Sequence, residues 1–242
     1  MRYYYDLHIH SCLSACADDD MTPCNIAGMA SLNGLNILAL TDHNSTANCP
    51  AFFKACKKYG IIPVAGMELT TAEEIHMLIL FPDLESAMAF NSELDRFRMK
   101  IKNKPDIFGN QPIMDEEDNV VGYEENLLSV ATMLDLFSAT ELAKAYNAVI
   151  YPAHIDREAN GIVSILGAWP DSPQFSSCEF ADQEKTEEYV ERFSLQNKNL
   201  ILSSDAHNLW SINDNVNYFE IDDSDGYSSA SVRSKLISLL KQ

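Results

Sequence analysis

The sequence predicts an α/β fold in which seven or eight parallel strands close into a barrel. Short apolar runs alternate with helix-like stretches along the chain, and polar residues follow each run, which is typical of strands feeding helices around a parallel sheet. The length of 242 residues and the hydrophobic content of 46% suit one large barrel better than two independent domains. We therefore expect residues 1–242 to form a single domain.

The strand candidates are apolar runs of the length that buried strands have in α/β proteins. They occupy residues 3–9, 36–40, 62–65, 75–81, 148–152, 174–180 and 200–203, with residues 218–221 as a weaker eighth. Helix-like segments separate them and occupy residues 23–33, 50–58, 84–102, 140–147, 185–196 and 229–240. This regular order is the basis for expecting a barrel.

One segment, residues 103–139, breaks the alternation of strands and helices. Prolines and glycines interrupt it, and an acidic run at residues 115–119 precedes Val120-Val121-Gly122, which predicts a loop and a small hairpin. We expect an insertion that caps a site. Residues 96–104, just before it, hold five of the seventeen basic residues. They form either a solvated helix end or a basic cap that meets a second phosphate of the substrate.

The composition argues against several classes of partner. The formal net charge of −19 makes the surface repel long nucleic acids and anionic membranes, unless a local positive feature such as bound metal ions overrides it. No apolar stretch has the length of a signal peptide or of a membrane span. The six cysteines indicate reduced thiols and not a disulfide framework. We therefore expect a cytoplasmic protein without a membrane partner.

The histidines provide the strongest functional signal. Most of the six lie at or just after the end of a predicted strand, where the active sites of barrels assemble. In Asp6-Leu7-His8-Ile9-His10 two imidazoles are two residues apart on an extended chain, so both point to one face and can bind the same or adjacent cations. Taken alone, the pair is also compatible with two half-exposed strand histidines.

Acidic residues accompany the other histidines near strand ends. These residues are Asp42, His43, Glu68, His76, His154, Asp205 and His207. Each alone is compatible with a strand-end turn or a solvated side chain, but together they predict a metal site. Arg157 follows His154 by three residues, and its guanidinium can bind a phosphate through two parallel hydrogen bonds. The alternative for Arg157 is an exposed ion pair with Asp156 or Glu158.

These residues match a known family in their order along the chain. The chain resembles the PHP (polymerase and histidinol phosphatase) domain, a distorted, TIM-like (β/α)7 barrel of metal-dependent phosphoesterases. The resemblance is carried by His8-x-His10, the stretch at residues 18–23 that is similar to the family's Asp-Gly-x-x-Thr-Pro loop, Thr41-Asp42-His43, Gly66-Met67-Glu68, His76, Ala153-His154 and Asp205-x-His207. Residues 103–139 and the C-terminal end of the chain lie outside these motifs.

The resemblance implies a site for two or three divalent metal ions. One ion would be held by His8, His10, Glu68 and Asp205, a second by Glu68, His76 and His154, and a third by Asp18, His43 and His207. The loop before Pro23 is longer than the family pattern and lacks its Gly, so Asp19 or Asp20 is an alternative to Asp18. A thiolate of Cys12 or Cys16 is a further alternative. The His-rich donor set favours Mn, Fe or Zn over Mg or Ca.

The implied activity is hydrolysis of a phosphate ester of a small metabolite or nucleotide. A hydroxide bridging two cations would attack phosphorus, while Glu68 would hold both cations and Arg157 would bind the phosphoryl oxygens. The same motifs would serve a histidinol-phosphate phosphatase or a nuclease that acts on short oligonucleotides. Amidohydrolase-like barrels, which hydrolyse C–N bonds, also carry His-x-His on their first strand and are an alternative class. A metal-binding regulator without enzymatic activity is a further one. Glu68 and Arg157 favour the phosphoesterase.

Overall fold

A computed structural model describes residues 1–224 and 226–242 and shows a mixed α/β fold around a curled sheet. In this part of the chain the strands are β1 (Arg2–Asp6), β2 (Ile37–Leu40), β3 (Ile62–Thr70), β4 (His76–Leu80), β5 (Pro112–Met114), β6 (Val120–Tyr123), β7 (Val149–Pro152), β8 (Ser177–Phe180), β9 (Asn199–Leu202) and β10 (Tyr218–Glu220). The α/β class and the barrel-like arrangement that the sequence predicts are confirmed.

The helices lie between these strands. They are α1 (Pro23–Leu32), α2 (Cys49–Tyr59), α3 (Leu84–Leu94), α4 (Pro105–Phe108), α5 (Leu136–Ala145), α6 (Ile162–Leu166), α7 (Thr186–Phe193) and α8 (Ser229–Leu240). Side-chain oxygens of Thr22, Asp83, Asp135 and Ser228 accept hydrogen bonds from backbone N–H groups in the first turns of α1, α3, α5 and α8. The short helix α6 lacks a counterpart in the predicted pattern.

The helix predicted for residues 84–102 is wrong in its second half. Helix α3 ends at Leu94, a single 3₁₀ turn follows, and Arg98 is extended with ψ 139°. The Arg98 guanidinium donates to the carbonyl oxygen of Asn44 and to Oδ1 of Asn91. These tertiary contacts outweigh the helix propensity of the basic residues that follow.

Strand order places six strands in one sheet, β10-β1-β2-β3-β4-β7. The pairs β1–β2 and β2–β3 are parallel, but β4 is antiparallel to both β3 and β7, and β10 is antiparallel to β1. The expectation of parallel strands throughout is therefore wrong for residues 75–81 and 218–221. Only residues 71–75 connect β3 to β4, and a parallel crossover needs a dozen residues or more.

Strands β8 and β9 form a separate parallel pair that continues the barrel. The backbone N–H of Ile155, just after β7, donates to the carbonyl oxygen of Glu179 in β8 at 2.8 Å. On the other side, Ile9 and Ala206 form a single parallel bridge, and the His10 N–H donates to the Ala206 carbonyl at 3.0 Å. The order around the barrel is thus β1, β2, β3, β4, β7, β8 and β9.

Two buried aspartates close the junctions on either side of the β8–β9 pair. Asp156 accepts from the N–H groups of Ala181 and Asp182, both at 2.9 Å, and so ties the chain after β7 to the chain after β8. Asp6 accepts from the Ser204 N–H at 3.0 Å and so ties β1 to the chain after β9. Burial raises the pKa of Asp6 to about 6, although its hydrogen bonds oppose the shift.

Strands β2, β3, β7 and β8 are buried on both faces, as the central strands of an α/β fold require. Leu78 and Tyr151 belong to an apolar cluster that includes Leu236 of α8, whereas Met77 and Ile79 belong to the larger cluster beneath the other helices. Alternate residues of one strand thus serve two different layers. Helix α8 covers the first cluster.

Gly66 allows β2, β3 and β4 to approach closely. A Cβ atom at this position would lie 2.8 Å from Cδ2 of Leu80 and 2.8 Å from Cγ2 of Thr41. Real Cβ atoms do not tolerate such distances, so a larger residue would push these strands apart. The close approach brings the chain after Thr41 alongside β3, where His43 and Glu68 form an isolated parallel bridge.

The segment at residues 103–139 contains α4, the β5–β6 hairpin and the start of α5. The hairpin matches the prediction for this segment. Asp118 accepts from the Thr22 hydroxyl and from the Cys24 N–H at the start of α1. Asn44 Nδ2 donates to the carbonyl oxygens of Leu128 and Val130, which holds the later part of the segment against the chain after β2.

Across residues 1–224 and 226–242, no helix combines the length and the apolar character needed to cross a membrane.

Asp156→Asn should lower the free energy of unfolding by roughly 1–3 kcal/mol, because an amide has one acceptor oxygen where the carboxylate has two. Urea unfolding followed by circular dichroism measures the change. The control is Asp171→Asn, an exposed position with no hydrogen bond of this kind, which should stay within about 0.5 kcal/mol of the wild type. Equal effects of the two substitutions would show that Asp156 does not close the junction.

Candidate metal centre

Eight of the nine predicted metal-ligand side chains meet at one end of the barrel. They are His8, His10, His43, Glu68, His76, His154, Asp205 and His207. His8 and His10 follow β1, His43 follows β2, and His154 follows β7. Because β4 runs in reverse, its first residue, His76, lies at the same end as the last residues of its neighbours. The barrel therefore gathers ligands that are far apart in sequence.

Glu68 lies inside a strand, whereas the sequence places it after one. Strand β3 continues to Thr70 because its second half pairs with β4, in the register Glu68 to Leu78 and Thr70 to His76. Antiparallel pairing supplies backbone partners beyond the predicted end at residue 65. The Glu68 side chain is 1% exposed, so its charge requires partners within the protein.

Those partners are imidazoles. Oε1 of Glu68 lies 2.7 Å from Nδ1 of His76 and 3.0 Å from Nε2 of His154. Oε2 lies 3.0 Å from Nδ1 of His43 and 3.3 Å from Nε2 of His10. One buried carboxylate thus contacts histidines from several different strand ends.

Hydrogen bonds at Nδ1 of His8 and of His10 determine which nitrogen carries the proton in each neutral ring. Nδ1 of His8 lies 2.8 Å from Oε1 of Glu179, a carboxylate oxygen that can only accept, so His8 donates from Nδ1. The Ser14 hydroxyl donates to Oδ1 of Asp42 at 2.7 Å, so it has no proton left for His10 and must accept from Nδ1 of that ring at 3.0 Å. In both neutral rings Nε2 is therefore an acceptor.

These two acceptor nitrogens face each other and two carboxylates. Nε2 of His8 lies 3.1 Å from Nε2 of His10, and both lie within 3.2 Å of Oδ1 of Asp205. Glu68 completes the set, with Oε1 3.4 Å from Nε2 of His8. When both rings are neutral, these four atoms are converging acceptors, and they fit a divalent cation, whose preferred ligands include imidazole and carboxylate.

The shifted pKa values of His8 and Glu68 also indicate that the buried carboxylates of the cluster require positive charge nearby. Burial lowers the pKa of His8, but the carboxylates of Asp205 and Glu179 outweigh it and raise that pKa well above its ordinary value. Burial would raise the pKa of Glu68, but the surrounding imidazoles, His76 foremost, hold it well below its ordinary value. The carboxylates therefore stay ionised and require imidazole protons or bound cations.

Among the described residues, three sets of side chains each offer ligand atoms that lie within 4.8 Å of one another inside the set. They are His8, His10, Glu68 and Asp205; His43, Glu68 and His76; and His10, His43 and His207. The first is the set that the resemblance implies for one cation. For the second implied set, Nδ1 of His76 lies 3.3 Å from Nε2 of His154, with Glu68 against both. The geometry can thus accommodate more than one metal ion.

Asp18 is placed differently from the other predicted ligands. It is exposed, and its contact with the cluster is through the backbone, where its N–H donates to the carbonyl of His207 at 2.8 Å. Among the described residues, the ligand group around His43 and His207 includes His10 and none of Asp18, Asp19 and Asp20. The longer loop after His10 leaves these acids on the surface.

The two candidate thiols also differ from each other. Cys12 is buried, and burial raises the pKa of its thiol to about 12, so it is a poor thiolate ligand. Cys16 is exposed and lies near His43 at the edge of the cluster.

Arg157 lies at the rim of the cluster. Its Nη1 donates to Oδ2 of Asp205 at 2.5 Å, and its side chain is 44% exposed. The neighbouring Asp156 is buried, and its two oxygens accept hydrogen bonds from the N–H groups of Ala181 and Asp182. Arg157 pairs with Asp205 of the cluster instead. Its guanidinium contacts the outer oxygen of a carboxylate whose inner oxygen faces His8 and His10.

Glu179 is a residue of the centre that sequence reasoning missed. It is 1% exposed, it orients His8, and the same oxygen accepts from the His154 N–H at 3.2 Å. A signal was available, because an acid near the end of the apolar run at residues 174–180 must find a buried partner. It carries no motif of its own.

The backbone around the centre adopts a conformation that is rare for residues other than glycine. His154, Asp205 and Asn44 have φ of 26°, 51° and 47°. Each such residue costs on the order of 1–3 kcal/mol unless its surroundings favour it, and such residues concentrate at functional sites. Here the unusual backbone turns two of the predicted ligands, His154 and Asp205, into the cluster.

Comparison with known proteins agrees with this geometry. The sequence model of the PHP domain matches residues 6–192, a range that contains all of the clustered ligands except Asp205 and His207. A 5'-3' exoribonuclease of Haemophilus influenzae is 37% identical over 71 residues, which are 29% of this chain and 25% of that protein.

Two solved structures share the fold at low sequence identity. The lesion-specific endonuclease EndoQ of Pyrococcus furiosus superposes with a TM-score of 0.60 at 19% identity, over 86% of this chain and 49% of the endonuclease. A Bifidobacterium adolescentis protein, assigned as a metal-dependent phosphoesterase, gives 0.55 at 17%, over 85% and 88%. The chain spans about a quarter of the exoribonuclease and half of the endonuclease. Because the family model covers well over half of its 242 residues, the chain belongs to the PHP domain family.

Proposed function

We propose that this protein hydrolyses a phosphate ester of a small metabolite or nucleotide, with two or three divalent cations held in the centre. One observation carries the proposal: Nε2 of His8 and Nε2 of His10 face each other at 3.1 Å beside two buried carboxylates. When both rings are neutral, neither nitrogen has a proton to offer the other or the carboxylates, so the four atoms lack a positive partner. A metal ion resolves this arrangement.

The proposed cations share ligands. The first is assigned to His8, His10, Glu68 and Asp205, the second to Glu68, His76 and His154, and the third to His43 and His207 with either His10 or Asp18. Glu68 would serve the first two, since its oxygens contact ligands of both sets. The preponderance of imidazole favours Mn, Fe or Zn.

The chain's own residues would bind and orient the phosphoryl group. Bound cations would neutralise phosphoryl oxygens and lower the pKa of a coordinated water. Arg157 lies at the rim with its guanidinium against Asp205, within reach of a phosphoryl group at the same ligand. Glu179 and Ser14 would hold His8 and His10 in the tautomers that leave Nε2 free.

A nuclease acting on short oligonucleotides is the second candidate. It is favoured by the exoribonuclease relative and by the fold of EndoQ, which has been seen with a 27-mer duplex bearing an abasic lesion. The charge of −19 weighs against it. So does the basic segment at residues 96–104, where Lys100 pairs with Asp95, Lys102 with Glu125 and Arg96 with Glu93.

We also propose that residues 1–242 fold as one domain in which residues 103–139 form an insertion beside the centre, as its contacts with Asn44 support. A cytoplasmic location is proposed from the cysteines, since all six are free thiols.

The metal content tests the centre directly. Purified protein reloaded with Mn²⁺ or Zn²⁺ and desalted should retain two or three equivalents, because the clustered ligands exceed what one ion can use. Elemental analysis by mass spectrometry measures the ratio, and a panel of phosphorylated metabolites and nucleotides measures the activity of the same sample. Less than one retained equivalent would contradict the proposal.

Glu68→Gln should remove activity more completely than Asp18→Asn. The first change should lower kcat/KM by at least ~1000-fold, or about 4 kcal/mol, since Glu68 contacts ligands of two proposed cations. Asp18 is exposed, so its loss should cost about tenfold or less. Equal residual rates on the best substrate, at equal metal content, would count against the bridging role.

Arg157→Lys should lower kcat/KM by at least about tenfold, or about 1.4 kcal/mol, because lysine keeps the charge but loses the planar fork. Metal content and melting temperature should change little, since the side chain is partly exposed. Steady-state kinetics, elemental analysis and thermal unfolding of the variant check these outcomes. Full efficiency in the lysine variant would mean that Arg157 serves only as a surface partner of Asp205.

A further inference from the structure

A cavity of about 370 Å³ opens directly beside the candidate metal centre. His43 and His76, which both contact Glu68, form the part of its wall that borders the cluster. Thr70, Glu74 and Asn160 form further parts of the wall, together with residues 129–131 of the segment after the hairpin. A phosphoryl group on the centre would therefore direct the rest of its substrate into a cavity large enough for a small molecule.

In the wall of this cavity, acidic residues outnumber lysines and arginines. Within the described part of the chain, no lysine or arginine belongs to its wall, and Glu74 is its carboxylate. The nearby Arg98 is not part of the wall, and its guanidinium donates hydrogen bonds to the Asn44 carbonyl and to Oδ1 of Asn91. A second anionic group in the part of the cavity away from the centre would thus meet the Glu74 residue and no lysine or arginine among the described residues.

The position of Glu74 is fixed by its neighbours. Asn160 donates from Nδ2 to the carbonyl of Glu74 at 2.7 Å, and its own carbonyl accepts from the His76 N–H at 3.0 Å. Glu74 and Asn160 both have positive φ, 66° and 61°, a conformation that is costly outside glycine and is held here by these bonds. The backbone of Glu74 is therefore held in place at the start of β4, two residues before a proposed ligand.

Thr70 adds a neutral hydrogen-bonding group to the same wall. Its residue is 3% exposed, and its Oγ1 has no hydrogen-bond partner among the described residues.

We propose that this cavity receives the leaving group of the substrate and that Glu74 is a specificity-determining residue. It favours phosphate monoesters of neutral or cationic alcohols, such as polyols, nucleosides and amino alcohols, over esters with a second negative charge. This inference rests on the proposed function and narrows it, because bisphosphates and oligonucleotides carry the charge that the cavity rejects.

Matched pairs of esters test the proposal in the metal-loaded protein. Glycerol 3-phosphate is compared with 3-phosphoglycerate, and adenosine 5'-monophosphate with adenosine 3',5'-bisphosphate, by kcat/KM. The wild type should prefer the less anionic member of each pair by at least tenfold. Glu74→Gln should reduce this preference at least fivefold, and Glu74→Lys should reverse it for one pair or both.

The matched control is Glu158→Gln, which removes the same charge from an exposed position outside the cavity wall. Its preference should stay within about twofold of the wild type. A second readout is competitive inhibition: glycerate should inhibit Glu74→Gln at least fivefold better than the wild type, while inorganic phosphate, which would bind at the cations, should inhibit both within about threefold.

The outcomes separate this inference from the proposed function. Hydrolysis of both members of each pair at equal efficiency by the wild type, or an unchanged preference in both Glu74 variants, overturns the role of Glu74 and leaves the phosphoesterase standing. No hydrolysis of any ester by fully metal-loaded protein overturns the proposed function, and this inference with it.

Discussion

The carboxylate of Glu68 is the contact on which the arrangement of the centre depends. It is buried, it remains ionised, and imidazoles from several strand ends surround it. A charge in this position is tolerated only if positive charge is brought to it. The extension of β3 to Thr70 and the reversal of β4 serve this end, since they place Glu68 and His76 on paired strands with their side chains 2.7 Å apart.

A second layer of polar residues keeps the ligands in place. Glu179 holds His8, and Asp42 acts on His10 through the Ser14 hydroxyl. These bonds favour, in each neutral ring, the tautomer that carries its proton on Nδ1. The fold therefore fixes the orientation of both rings, so a cation that bound there would not have to reorient them.

Much of the fold could be predicted because apolar runs mark buried strands, and the helix at residues 229–240 was predicted with its observed bounds. The direction of β4 could not be predicted from its own residues, because the apolar run at residues 75–81 is compatible with a parallel or an antiparallel strand. Only the short connection at residues 71–75 indicates that the strand is antiparallel. Helix α3 ends early through the contacts of Arg98 with Asn44, which are distant in sequence.

The clustering of the candidate ligands could likewise be predicted where histidines carry the signal. The spacing His-x-His at residues 8 and 10 predicts two imidazoles on one face of an extended chain, and the two rings meet just after β1. Asp18 was inferred by counting back from Pro23, and the longer loop places that side chain on the surface. Glu179 was missed because a single glutamate in an apolar strand resembles any solvated acid until the buried face of the strand is known.

The junctions on either side of the β8–β9 pair lack the continuous backbone pairing of the six-stranded sheet, and hydrogen bonds to Asp6 and Asp156 span them. The same pair supplies Glu179, and the chain just after it supplies Asp205, so the proposed cations would span the junctions as well. Closure of the barrel and retention of metal would then be one coupled equilibrium, in which each ion bound adds to the stability of the closed form. Each proposed cation bound to Asp205 would therefore help to hold the β8–β9 pair against β1 and β7.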